Sequence, residues 1–449
     1  MDFRTNLLDE WVKNKMDIHP SQLLSPKMIK DYQLRKLTEV LAYVSKYSPF
    51  YQRHLKGYQI NNIKNLKDVT SLPFTTEEDL RNFGLQMLCV SQSKIKRVVT
   101  LATSGTTGNP KRVFFTPADQ ELTIDYFKQG MNTFTLSKEK VLILLPGETP
   151  GSIGNLLASA LKNLGLQPIK FDINNTLGDI LNKLVDTQAD VVVGIPIHLL
   201  ALAKYYELTA EKPPLSLKRI LLSTDYVAQT IIAEIKRVWD CEVFRYFGMT
   251  EMGLGGGIEC RKHNGYHLYE GDFLFEIVDS DSGTVLPEGE YGEVVFTTLT
   301  RRGMPLVRYR TGDIARFIPE KCPCGSVLSR LDYIKARRTG IVNVAEIGSF
   351  TIGDLDEILL ALPGVIDFTG VISFLSGFFI LKLKVITLEK SLSFSQIYEA
   401  LQVHPVFCFL LKQDRLRLSV KEIIDPTLYL PQMGKRRIVI EDTDFLGRE

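Results

Sequence analysis

Residues 101–115 read LATSGTTGNPKRVFF, a polar, glycine-broken insert between two runs rich in β-branched and aromatic side chains. The flanking runs KRVVTL and RVFFT read as strands, so the insert is expected to be a tight loop at the end of a sheet. Such a loop offers backbone N–H groups, the hydroxyls of Thr103, Ser104, Thr106 and Thr107, and one cation at Lys111, the set of groups that holds a polyphosphate. It is not a Walker loop. Only Thr106 and Thr107 separate Gly105 from Gly108, and Lys111 stands further on rather than directly after the second glycine. An ordinary Gly/Thr hairpin turn is the alternative that the loop by itself leaves open.

Other stretches carry compatible chemistry. YFGMTE, residues 246–251, follows the apolar run CEVFR, so at a strand end Tyr246 could stack on a base and Glu251 could hold Mg²⁺. YRTGD ends in Asp313, a carboxylate able to accept hydrogen bonds from both hydroxyls of a ribose. KARR, at 335–338, reads as a basic linker, and LPQMGKRR sets Lys435 after a glycine. Each residue alone has a plainer reading. Lys435 fits a solvated basic run, Asp313 a turn after Gly312, Glu251 the first turn of a helix, and Tyr246 and Phe247 a core.

CRKHNGYH and CPCG form a different kind of cluster. Cys260, one of His263 and His267, and the pair Cys322 and Cys324 can close a tetrahedral Cys₃His site suited to Zn²⁺. With no open coordination position such a metal is structural. Three unrelated thiols beside two surface histidines are the alternative.

The elements that must position these residues are legible in outline. With 54 basic against 52 acidic residues the 449-residue chain lacks the field for nucleic acid or anionic lipid, so a small-molecule partner is expected and a membrane is not. The N-terminus MDFRTNLLDEWVKNK lacks the apolar core of a secretory signal, which points to the cytoplasm and reduced cysteines. Residues 28–56 carry apolar positions at helical spacing broken at Ser48-Pro49, so two helices should meet there. Between 98 and 245, short apolar runs such as KVLILLP, DVVVGIP and RILLS alternate with amphipathic segments, the pattern of parallel strands covered by helices. FTGVISFLSGFFILKLKV, at 368–385, is too short to span a bilayer and is expected to be a hairpin. The expected fold is α/β. A large N-terminal domain, 1–336, has parallel and mixed sheets with covering helices and a β subdomain at about 260–330. A small mobile α+β domain, 337–449, follows.

Taken in order, TSGTTGNPK, YFGMTE, YRTGD, the basic linker and the late GK pair resemble the adenylate-forming acyl-CoA synthetases. SPFYQRHL and CPCG point further, to the phenylacetate-CoA ligase-like branch. The resemblance implies an ATP-dependent acid–thiol ligase that makes an acyl-adenylate and passes the acyl group to CoA. It implies that Thr103, Ser104, Gly105, Thr106, Thr107, Gly108 and Lys111 hold the β- and γ-phosphates, that Glu251 ligates Mg²⁺ and that Thr250 bonds the α-phosphate. Tyr246, Phe247, Gly248 and Asp225 would border the nucleotide. Asp313 would fix the ribose with support from Arg337, and Lys435 would bridge the attacking carboxylate and the α-phosphate. No general base is required, because a carboxylate is already the nucleophile. The resemblance also favours His267 over His263 as zinc ligand.

Two departures stand out. Ser223-Thr224-Asp225 replaces the stretch that lines adenine in this branch, and ARRTGI replaces the usual hinge acids. The acid is expected near Gly147, Gly194, Ile195, Pro196 and Tyr246, where no cation waits for a second carboxylate, so a monocarboxylate, aryl or alkyl, is implied. A non-CoA acceptor, a noncatalytic nucleotide binder and a homodimeric assembly stay open.

Overall fold

The computed structural model describes residues 7–19, 21–101, 110–344, 346–375, 377–388, 392–424 and 436–441. They group into two compact units. The first comprises 1–138, 148–166 and 246–334, and the second 139–147, 167–245 and 335–449.

In the first unit, helices Pro26–Tyr47 and Pro49–His54 meet where the sequence predicts. Ser48 ends one through its N–H to the Val44 carbonyl and caps the next by accepting from the Tyr51 N–H. Strands Arg97–Leu101 and Lys111–Phe115 pair antiparallel, with Arg97 opposite Phe115 and Leu101 opposite Lys111. Thr116 and Asp119 then close a capping box on helix Pro117–Asn132. Asp119 also accepts from the Arg302 N–H at 3.1 Å, fixing the helix start to the turn at 301–303. Strands Phe273–Val278, Gly292–Thr298 and Tyr309–Ala315 form an antiparallel sheet, bulged between Glu293 and Val295. A second antiparallel ladder runs through Gly257–Glu259, Tyr266–Leu268, Arg330–Leu331 and Phe317–Ile318, and it carries the cysteine and histidine motifs.

In the second unit, strands Gln167–Lys170, Lys140–Leu144, Val191–Gly194 and Arg219–Leu222 lie side by side, all parallel, and residues 242–245 extend the row. Val191–Gly194 and Arg219–Leu222 are buried along their whole length, which explains why they read as unbroken apolar runs. Helices Leu177–Thr187, Pro196–Leu208 and Gln229–Trp239 alternate with the strands. The late segment is α+β. Val365–Leu375 and Phe378–Thr387 form the expected hairpin, Leu416–Ile424 runs parallel to its second strand, and Val439–Ile440 parallel to its first.

Two polar fastenings join this late segment to the helices of the parallel strands. Lys204, 6% exposed, donates to the carbonyls of Leu360, Leu362 and Val365 at 2.8–3.0 Å. The Glu357 carboxylate accepts from the N–H groups of Gln229 and Thr230 at the start of helix Gln229–Trp239, satisfying donors that the helix itself cannot. Among the described residues no helix is long and apolar enough to cross a membrane.

Candidate functional site

Lys111 opens the strand that leaves the Gly/Thr loop, and its ammonium lies against the Glu251 carboxylate in direct ion-pair contact. A second carboxylate, Glu77 of helix Glu77–Phe83, stands 3.3 Å from the same ammonium. Glu251 is only 2% exposed. It sits in the 3₁₀ turn Thr250–Met252, which ends at Gly253 with φ +72°, a conformation that favours glycine. The Tyr309 hydroxyl donates to Glu251 at 3.3 Å. Residues expected to act on the phosphates (Lys111) and the metal (Glu251) are thus brought together, with Thr250 adjacent in the same turn. Thr103, Ser104, Gly105, Thr106, Thr107, Gly108 and Lys435 lie outside the described residues.

The strand Tyr309–Ala315 also carries Asp313, 4% exposed, whose N–H bonds the Thr311 hydroxyl at 3.0 Å. Gly312, at φ +75°, donates its N–H to Glu293 at 3.0 Å, so the turn-like kink before Asp313 is held from the neighbouring strand. Phe247 packs on Tyr266, and Gly248 is a close approach, since a Cβ there would meet the Leu254 carbonyl oxygen at 2.7 Å. Asp225 and Arg337 belong to the second unit. Asp225 accepts from the N–H groups of Tyr226 and Arg436 at 2.9 and 3.3 Å, and Arg337 ends the two-residue strand Ala336–Arg337.

Tyr246 is 8% exposed, with its ring centroid 5.7 Å from that of Phe127 and 6.3 Å from that of Tyr269, and burial pushes its phenol well above the ordinary range.

Two contributors escaped the sequence. Arg301, 4% exposed, donates to the Glu251 carbonyl at 2.7 Å and to the Phe114 carbonyl at 2.9 Å, locking the turn of Glu251 to the strand of Lys111. Its only signal is an Arg-Arg-Gly turn, which ordinarily faces water. Tyr51, from SPFYQRHL, accepts the Val307 N–H at 2.9 Å, while Thr75 donates to the Val307 carbonyl at 2.7 Å. With Thr75's proton so used, the 3.1 Å contact between the two hydroxyls has Tyr51 as donor. The three residues fix the approach to Tyr309 and Asp313.

The cysteine cluster is closed in space. The ligating atoms of Cys260, His267, Cys322 and Cys324 all lie within 4.8 Å of one another. The Cys260 and Cys322 sulfurs are 3.7 Å apart, and the Cys324 sulfur is 3.4 Å from His267 Nε2. Tetrahedral zinc with Zn–S bonds near 2.3 Å spaces its sulfurs by about 3.8 Å, so the donor set fits that ion. Burial opposes charge on His267, but hydrogen bonding with Cys322 and Cys324 outweighs it and raises the imidazole pKa to about 9. His263 is elsewhere engaged, with Nδ1 3.4 Å from Glu259.

Residues 74–299 match the AMP-binding enzyme family, and the chain belongs to it. A phenylacetate-coenzyme A ligase from Thermus thermophilus is 29% identical over 353 residues, covering 77% of this chain and 78% of that protein. The phenylacetate-coenzyme A ligase of Escherichia coli is 27% identical over 342 residues, covering 74% and 76%. A crystal structure of 2-hydroxyisobutyryl-CoA ligase in the postadenylation state, in complex with R3-HIB-AMP, aligns with a TM-score of 0.75 at 18% identity. That alignment spans 93% of this chain and 90% of the other, a likeness of fold.

Proposed function

We propose that the chain is an ATP-dependent, AMP-forming acid–thiol ligase that converts a monocarboxylic acid, aryl or alkyl, to its CoA thioester. The contact between Lys111 and Glu251, at the foot of the hairpin that carries the Gly/Thr loop, is the observation that carries this reading. It puts a cation for phosphate oxygens beside an anion for a hard divalent ion, the charge pattern that a metal–triphosphate complex presents in reverse.

In this reading a carboxylate oxygen attacks the α-phosphorus, the bond to the β-phosphate oxygen breaks, and pyrophosphate leaves. The CoA thiolate then attacks the acyl carbon and AMP departs. Loop residues 103–108 and Lys111 hold the β- and γ-phosphates, and Thr250 bonds the α-phosphate. Glu251 holds Mg²⁺, which when bound neutralises charge on the phosphate oxygens. Asp313 orients the ribose, with Arg337 in support. Lys435, in a small C-terminal domain at 337–449, stabilises the charge that builds at the α-phosphate. Cys260, His267, Cys322 and Cys324 hold a structural Zn²⁺. A cytoplasmic location accords with six unbridged cysteines.

The Lys435→Ala variant tests the assignment. ATP binding should persist while acid-dependent pyrophosphate release falls by at least about 100-fold. Release at the parent rate would remove Lys435 from the mechanism.

A further inference from the structure

The basic run Lys435-Arg436-Arg437 has the composition of a solvated tail, yet the Arg436 side chain is 9% exposed. Its guanidinium is in ion-pair contact with Asp356 of helix Ile352–Leu359, lies 3.1 Å from the Asp367 carboxylate, and donates to the Phe368 carbonyl at 3.2 Å. It also covers the Phe368 ring, 4.6 Å from the centroid. The backbone is held as well. Arg436 N–H points to Asp225 at 3.3 Å, in the loop after strand Arg219–Leu222. Beyond it, Ile438 is buried, Val439 and Ile440 pair with Val371 and Ile372, and the Glu441 N–H bonds the Ile372 carbonyl at 2.7 Å.

A buried arginine with two carboxylates and a carbonyl is costly to displace, because moving it strands those acceptors. It is therefore a far firmer anchor than a terminal strand of two residues. The residue directly before it in the chain is Lys435.

We propose that Arg436 is a positioning residue for the adenylation step: locked between Asp356 and Asp367 and tied through its amide to Asp225, it fixes the segment that presents Lys435. Asp225, which stands where the family lines adenine, accepts from this segment as well as from the Tyr226 N–H. The inference rests on the reading of Lys435 given above and adds a residue that touches no substrate.

The test compares steady-state pyrophosphate release by the full-length parent, Arg436→Ala, Arg436→Lys, Lys435→Ala and the Lys435→Ala/Arg436→Ala double variant. Arg436→Ala should lower kcat by about 10- to 100-fold, leaving KM for ATP within about twofold, since misplacement of a transition-state group costs rate more than ground-state binding. Arg436→Lys, which keeps the charge, should recover part of the loss. Adding Arg436→Ala to Lys435→Ala should cost nothing further, because the anchor acts only through the lysine. An equal fractional loss in both backgrounds, or a rise in KM with kcat unchanged, would overturn the proposal. So would an Arg436→Ala variant at the parent rate while Lys435→Ala is inactive. Should Arg436→Ala not fold, Asp367→Asn carries the test, with the same non-additivity expected and the same additive loss contradicting it. Parent activity in Lys435→Ala would instead count against the function reading itself.

Discussion

The ammonium of Lys111 is in direct ion-pair contact with the carboxylate of Glu251, which is 2% exposed. Each is the other's principal counter-charge, but the two are not equally dependent. Lys111 also has Glu77 at 3.3 Å, whereas Glu251 has the Tyr309 hydroxyl at 3.3 Å. Lys111→Met should therefore destabilise the protein by about 3 kcal/mol, by stranding a buried carboxylate, and Glu251→Gln by distinctly less. Urea titration of both variants checks the order, and equal costs would contradict it.

The cysteine–histidine cluster gives an independent expectation. Purified protein should contain about one zinc per chain, and Cys322→Ser should abolish it and lower the melting temperature by about 5 °C or more. Asp9, on helix Leu7–Lys15, binds the Ser326 hydroxyl and accepts the Val327 N–H at 3.0 Å, just past Cys324. Chelation should accordingly speed proteolysis within residues 7–15. Elemental analysis, melting curves and a timed digest read these outcomes, and a metal-free parent as stable as the chelated one would refute the site.

His198, on helix Pro196–Leu208, is 1% exposed, and burial lowers its pKa from 6.5 to about 4. Below pH 6.5 the unfolded chain gains a proton that the folded chain refuses until about pH 4. The associated stability is thus complete above pH 6.5 and is lost as pH falls through that window. Between pH 7.5 and pH 5 the loss should be about 2 kcal/mol. A His198→Leu variant should lose less stability than the parent over that interval, by about the same amount. Parallel pH curves for the two proteins would contradict this.

Much of the fold was legible because its signals are local. Val191–Gly194 and Arg219–Leu222 are buried on both faces and read as apolar runs, and Ser48-Pro49 marks a helix junction through capping chemistry that needs no tertiary contact. The spacing of the motifs leaves His263 and His267 equally available to the three cysteines, and only the fold sets a His267 ring nitrogen within 4.8 Å of their sulfurs. What stayed hidden depends on contacts between distant segments. Arg301 and Arg436 look like surface charges until buried carbonyls and carboxylates surround them.

The most direct test of the account is pyrophosphate release from ATP across a panel of aryl and alkyl monocarboxylates, with and without CoA. The account predicts acid-dependent formation of AMP and pyrophosphate, with an acyl-CoA product when CoA is present. ADP and inorganic phosphate as products, or no acid-dependent turnover of ATP by any member of the panel, would contradict it.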